Sequence, residues 1–228
     1  KMCDVVTTKG TRVSKWLDEQ GIPSEKIFIL NGSIDTKVFT INENLVRDID
    51  ILFVGNFSKL KGPDRVLQII KKLILDLNRV NAVFLGTCTM FSEIKKQITD
   101  LNLEDFVTLE GYQAITTPYF QRSRILIMPS TSEGLPTAML EAMACGCVPI
   151  VSNVGNIIDE ANHGKHAMVI EKWNDIDGFA EAAKKLLLNE NYRKQIAING
   201  RKTVVDNYSP KKQSLIVSEI LNYLSRRI

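Results

Sequence analysis

Short runs of residues that are apolar almost throughout constrain this chain most. Ile51-Leu52-Phe53-Val54 and Ile125-Leu126-Ile127-Met128 leave no polar face. A strand with one wet face alternates apolar with polar, whereas a strand covered on both faces does not have to. Uninterrupted runs therefore point to a parallel sheet lying between layers of helix. Strands are predicted at Asp4–Thr8, Lys26–Leu30, Ile49–Val54, Asn81–Leu85, Phe106–Leu109, Ile125–Met128, Val148–Val151 and Ala167–Ile170.

Between the runs the period changes to that of a helix. Val66, Ile70, Leu73 and Leu77 share one helix face, as do Ile176, Phe179, Ala183 and Leu186, and Ile216, Ile220 and Tyr223. Further helices are predicted at Thr11–Gln20, Phe91–Leu101, Thr137–Ala144 and Tyr192–Asn207. Strand followed by helix, repeated, gives an α/β fold: a doubly wound, Rossmann-like parallel sheet with right-handed crossovers. The 228 residues suffice for one large domain with an appendage. A boundary is expected at Asn31-Gly32-Ser33-Ile34-Asp35, followed by a polar, patternless stretch to Asp48. Residues 1–38 then form one strand–helix–strand unit, too small to bury its own apolar face. Residues 39–207 form the main domain, and residues 208–228 a terminal helix. The chain opens at Lys1 and is expected to be a fragment of a longer protein.

Several function classes are excluded. The 29 basic and 26 acidic residues leave a net charge of +3. That is neither a strongly basic nucleic-acid module nor an acidic disordered tail, although a small anion site stays open. Cys3, Cys88, Cys145 and Cys147 form no CxxC pair, and His163 and His166 are the only histidines. No metal site is expected from them, and reduced, packed thiols suit a reducing compartment. No apolar segment reaches the roughly 18 residues of a membrane span, and no signal peptide opens the chain.

In open α/β sheets, ligands bind beyond the carboxyl ends of the strands, so the loops there carry the functional reading. Gly55-Asn56-Phe57-Ser58-Lys59-Leu60-Lys61-Gly62-Pro63 follows one strand. Its glycine lets backbone approach a ligand and its lysines are point charges for phosphate; a solvated basic turn fits the same residues. Gly86-Thr87-Cys88-Thr89 lacks the second glycine and the GK[ST] ending of phosphate-binding fingerprints, and reads as a bare turn. Pro129-Ser130-Thr131-Ser132-Glu133-Gly134-Leu135-Pro136 leads into the Thr137–Ala144 helix. Pro136 suits the first helical position and Gly146 the C-terminal cap, leaving the amides of Thr137, Ala138 and Met139 for an anion. Glu141 sits within an otherwise apolar Ala-Met-Leu-Glu-Ala-Met-Ala run. It needs a partner there unless it faces solvent.

These residues resemble a known family. Glu133-Gly134-Leu135-Pro136, with Glu141 eight positions on and Ala142 to Val151 following, is similar to the glutamate–seven–glutamate signature of retaining GT-B glycosyltransferases of family four. Asn31-Gly32-Ser33-Ile34-Asp35 resembles that family's interdomain segment, and Ile51 to Gly55 with Lys61-Gly62 resembles its phosphate loop. Ser123 to Ser130 resembles its ADIxVxPS strand, and Asn191-Tyr192-Arg193, Gly200-Arg201 and Tyr208-Ser209 resemble its usual end.

The resemblance implies a C-terminal donor domain preceded by the last strand–helix unit of an N-terminal acceptor domain, with the terminal helix crossing back between them. It implies catalytic roles for Glu133 and Lys61, and donor contacts from Gly55, Asn56, Lys61, Glu133, Gly134, Leu135, Thr137, Ala138 and Glu141. Glu141 would hold the ribose, Glu133 the sugar and Lys61 the diphosphate. The expected partner is a UDP-, GDP- or ADP-sugar, with no cofactor, metal or nucleic acid. Also expected are the missing acceptor domain and a cytoplasmic setting, with room for peripheral membrane association of the full-length protein. One position departs from the family: Asn56 stands where an arginine is usual, so that either Lys59 replaces that charge, or the donor site is weakened or its geometry differs. A non-catalytic nucleotide-sugar-binding or regulatory module on a degenerate transferase fold is the alternative. A sugar-nucleotide epimerase would need an acid–base pair that is not evident here.

Overall fold

The computed structural model describes residues 3–226, the side chains of Ile158 and Glu160 excepted. The outer tips of both expected end segments, including Arg227, lie outside the described residues. The chain runs β1 (Val6–Thr8), α1 (Thr11–Glu19), a short 3-10 turn, β2 (Ile27–Ile29), β3 (Ile49–Val54), α2 (Pro63–Leu77), β4 (Ala82–Leu85), α3 (Phe91–Asp100) and β5 (Val107–Gly111). It continues through α4 (Thr117–Arg122), β6 (Ser123–Met128), α5 (Thr137–Ala144), β7 (Val148–Ser152), α6 (Ile157–Glu160), β8 (Met168–Ile170), α7 (Ile176–Leu188), α8 (Glu190–Tyr208) and α9 (Pro210–Ser225).

β1 and β2 pair with each other, while the other six strands form one parallel sheet in the order β5-β4-β3-β6-β7-β8. This is the doubly wound arrangement expected. Strand order reverses between β3 and β6, and the loops leaving those two strands diverge to opposite faces.

The uninterrupted apolar runs are explained by two separate cores. Ile51, Phe53, Phe84, Ile125, Ile127 and Ile150 pack under α2, α3 and α7. Leu52, Val83, Leu85, Leu126, Met128 and Val151 point the other way, against residues of α4, α5, α6 and α8. Successive side chains of a strand alternate between faces, so both parities must be apolar when both faces are covered.

All eight predicted strands are present, with shifted ends. β6 begins at Ser123 rather than Ile125 because Ser123 pairs in register with Ile49, and its hydroxyl donates to Tyr119 O at 2.6 Å. α4 and α6 were not predicted; at six and four residues they are too short to show a helical period. The patternless stretch after Asp35 is pinned rather than loose. Ile34 is buried and its amide donates to Tyr208 O at 2.8 Å. Phe39 packs edge-on to Phe120, with centroids 6.2 Å apart.

The N-terminal unit clasps the main domain through the segment after β7. Asn156 is buried and its side-chain amide donates to Lys9 O at 2.6 Å. Thr11 donates from its amide and hydroxyl to Asp159 at 2.9 and 2.7 Å, and Arg12 donates to Gly155 O at 2.9 Å. Beyond that clasp α1 lies against β1 and β2 but buries no residue fully, and Trp16 is 55% exposed. α9 crosses to β2, where Tyr223 meets Phe28 edge-on at 5.6 Å, and Leu215 and Leu221 remain exposed.

Candidate active site

The two loops at the order reversal build the site. In the β3–α2 loop, Phe57 is fully buried and its amide donates to Thr87 O at 2.7 Å. Gly55 is a position where backbone meets backbone. A Cβ on neighbouring Gly86 would lie 1.9 Å from Gly55 O, so the exits of β3 and β4 touch only because residue 86 has no side chain. The loop turns into α2 through Gly62 at φ 69°, with Pro63 at the first helical position. The Lys61 stem lies along Gly55: a Cβ there would sit 3.7 Å from Lys61 Cγ.

The β6–α5 loop is braced from both sides. Thr131 N donates to Leu60 O at 2.9 Å, joining it to the first loop. On the other side Asn156 N donates to Gly134 O at 3.2 Å, and Gly155 packs so tightly that a Cβ would fall 1.7 Å from Glu133 O.

These constraints bring Lys61 and Glu133 together. The ammonium donates to both carboxylate oxygens, at 2.7 and 2.9 Å, with the Glu133 side chain 6% exposed and that of Lys61 27%. Such a pair, its carboxylate mostly buried and its ammonium partly open to water, is also an exchangeable contact: either partner can turn to a ligand of the opposite polarity.

α5 spans the expected residues, but Pro136 stands at its N-cap rather than at its first helical position. Pro136 is extended at ψ 114° and caps the helix from outside, because the incoming loop is still β-like there. Its carbonyl takes the Met139 amide at 3.1 Å, so Met139 is not one of the free donors. Among the described residues, the amides of Leu135, Thr137 and Ala138 donate no hydrogen bond. The far end closes as expected: Gly146, at φ 71°, donates to Met143 O at 3.1 Å and Cys147 to Ala142 O at 2.9 Å.

α5 buries Met139, Leu140, Ala142, Met143 and Ala144, which leaves Thr137, Ala138 and Glu141 as one open stripe. Glu141 is half-buried, and among the described residues its carboxylate has no hydrogen bond or ion pair. Burial pushes its carboxyl above the ordinary range. Among the described residues no hydrogen bond or ion pair joins it to Lys61 or Glu133; it lies one turn along α5 from the free amides. Asn56 and Lys59 are exposed, and among the described residues their side chains make no hydrogen bond or ion pair. Burial pushes the thiols of Cys145 and Cys147 up to about 12, so neither supplies a thiolate nucleophile at neutral pH. Two features of the site escaped sequence reading: the brace from Gly155 and Asn156, and Arg65, buried behind the β3–α2 loop. Arg65 had a readable signal, standing four residues before Ile69 on the buried side of α2.

Comparison with known proteins bears on the fold and the family. The chain is 25% identical to an N-acetyl-alpha-D-glucosaminyl L-malate synthase of Bacillus anthracis, over 92% of this chain and 57% of that protein. It is 27% identical to the capsular polysaccharide biosynthesis glycosyltransferase CapM of Staphylococcus aureus, over 83% of this chain and 49% of that one. The chain thus spans about half the length of the curated relatives it matches. Among solved structures, Anabaena Alr3699/HepE in complex with UDP superposes with a TM-score of 0.84 at 16% identity, over 99% of this chain and 64% of that one. TarM of S. aureus gives 0.83 at 19% identity, over 96% and 43%. The family described as glycosyl transferases group 1 matches residues 36–203, and the chain belongs to it.

Proposed function

We propose that this chain is the donor-binding half of a retaining glycosyltransferase that takes a nucleotide-diphospho-sugar. The observation that carries the reading is the Lys61–Glu133 pair, held at the strand-order reversal beside the free amides that open α5. A diphosphate entering there takes the Lys61 ammonium from Glu133 and accepts from the amides of Leu135, Thr137 and Ala138. Glu133, released, accepts from hydroxyls of the donor sugar. Glu141, one turn further on, accepts from the ribose hydroxyls, and its unpaired, partly desolvated state gives it a strong preference for donors. As the glycosidic bond breaks, negative charge grows on the leaving diphosphate, and donors already aimed at it lower the barrier without reorganising. These charges ask for no metal ion.

UDP is the preferred nucleotide. Support comes from the similar structures, since HepE is described with UDP and with UDP-glucose, and the pneumococcal transferase GtfA with UDP and GlcNAc. Isothermal titration with UDP, GDP and ADP is expected to give binding by UDP foremost; no binding of any of the three removes the reading. Transfer belongs to the whole protein, because the acceptor hydroxyl must sit within a few ångströms of the anomeric carbon and the relatives carry about as much chain again. A polypeptide of these 228 residues is expected to bind, and at most to hydrolyse, the donor. Saturable transfer by it in an acceptor screen would overturn that division of labour.

The non-catalytic alternative is favoured by one residue, Asn56, exposed and uncharged where the resembled family has arginine. Asn56→Arg is expected to tighten UDP binding roughly tenfold while leaving uridine unchanged, since a guanidinium adds a fork to phosphate. Unchanged UDP affinity would show that the loop does not face the diphosphate.

A further inference from the structure

Arg65 is an arginine with only 8% of its surface exposed, and its hydrogen-bond partners are backbone carbonyls rather than carboxylates. Its Nε donates to Pro129 O at 3.0 Å, in the β6–α5 loop, and Nη2 donates to Lys59 O at 2.8 Å, in the β3–α2 loop. Trp173, in the segment after β8, lies over the guanidinium with its ring centroid 4.8 Å away. Gly62 makes room for it: a Cβ there would stand 2.2 Å from Arg65 Nη2.

Keeping a charged group so far from water is costly, and that burial pushes the Arg65 guanidinium down from its ordinary value. A leucine would fill the space without that cost. What leucine lacks is the rigid fork. One planar group spans two loops that are also joined by the Thr131–Leu60 backbone bond and, at their tips, by the Lys61–Glu133 pair. The bridged residues are telling. Lys59 is two positions before Lys61, and Pro129 is four before Glu133.

We propose that Arg65, sheltered by Trp173, is a positioning residue that sets the register between the β3–α2 and β6–α5 loops and so aims Lys61 at the donor diphosphate. The proposal rests on the donor-site reading above. It places no part of Arg65 on the ligand: the guanidinium acts through the two carbonyls, behind the loop, and the ligand meets only Lys61. Arg65 is thereby distinct from a charge that binds phosphate directly.

The test separates aiming from simple support. UDP, UMP and uridine are titrated into the 228-residue protein and its Arg65→Lys variant, with thermal unfolding in parallel. Lysine keeps the charge but replaces the rigid planar fork with a compact ammonium on a flexible stem, which does not fix the two carbonyls in one register. The expected result is a roughly tenfold loss for UDP, a smaller one for UMP and none for uridine, because the Lys61 ammonium meets phosphate charge and uridine carries none. The loss for UDP should vanish in a Lys61→Ala background, where there is no ammonium left to aim. Trp173→Ala, at a partly exposed site, should show the same pattern more weakly and decides the matter if Arg65→Lys does not fold. Equal losses for UDP and uridine, or a lowered melting temperature with all three affinities intact, would make Arg65 a structural support only and overturn the inference. Failure of the unsubstituted protein to bind any of the three overturns the donor-site reading, and the inference falls with it.

Discussion

Replacing Glu141 by glutamine is expected to stabilise the ligand-free protein and to weaken its nucleotide affinity. Glu141 is half-buried on an otherwise apolar helix, with no partner among the described residues and a carboxyl pushed up by desolvation. A group whose folded-state pKa is raised costs stability when ionised. The cost is absent below the unfolded pKa, near 4.5, and fully present once the pH exceeds the raised folded value. Glutamine removes it, so the melting temperature should rise at neutral pH, and the gap between the two proteins should close as the pH falls toward 4. On the proposed donor-site reading the same substitution removes a charged acceptor from the ribose hydroxyls, worth about 1.5–3 kcal/mol, or roughly 10- to 100-fold in UDP affinity. Opposite signs in one variant mark a residue kept for binding at the expense of folding. Unchanged affinity together with a lower melting temperature would remove Glu141 from the site.

Lys61→Ala is expected to lose both affinity and stability. UDP should weaken by about 10- to 100-fold and uridine hardly at all, because in the proposed donor site the ammonium meets only the phosphates. Stability should fall by roughly 1–3 kcal/mol, since the Glu133 carboxylate is left mostly buried without its cation. Adding Glu133→Gln should restore part of the stability and none of the UDP affinity. This double-mutant cycle distinguishes a pair that holds the fold from one that a ligand dissolves. Full recovery of UDP binding in the double variant would show that Lys61 matters only through Glu133.

The doubly wound sheet was legible because its strands are buried on both faces and their apolar runs therefore carry no alternation. The main helices were legible because Val66, Ile70 and Leu73, and their counterparts in α7, repeat at helical spacing. α4 and α6 were not, being too short to complete a second turn of pattern. Nor was the fixing of residues 34–48, which depends on single buried side chains such as Ile34 rather than on a period. In the site, Lys61 and Glu133 were legible as loop charges, but their contact was not. It follows from the strand order that sets β3 beside β6, a non-local fact. The position of Pro136 outside the helix depends on the direction from which the chain arrives.

The segment after β7 touches two things at once. Gly155 and Asn156 press on Glu133 and Gly134 from one side, while Asn156, Gly155 and Asp159 grip Lys9, Thr11 and Arg12 from the other. The same few residues thus serve two contacts. Gly155 has no slack for a single methyl group against Glu133 O. A substitution there would be felt both in the loop that carries Glu133 and in the clasp on Lys9, Thr11 and Arg12.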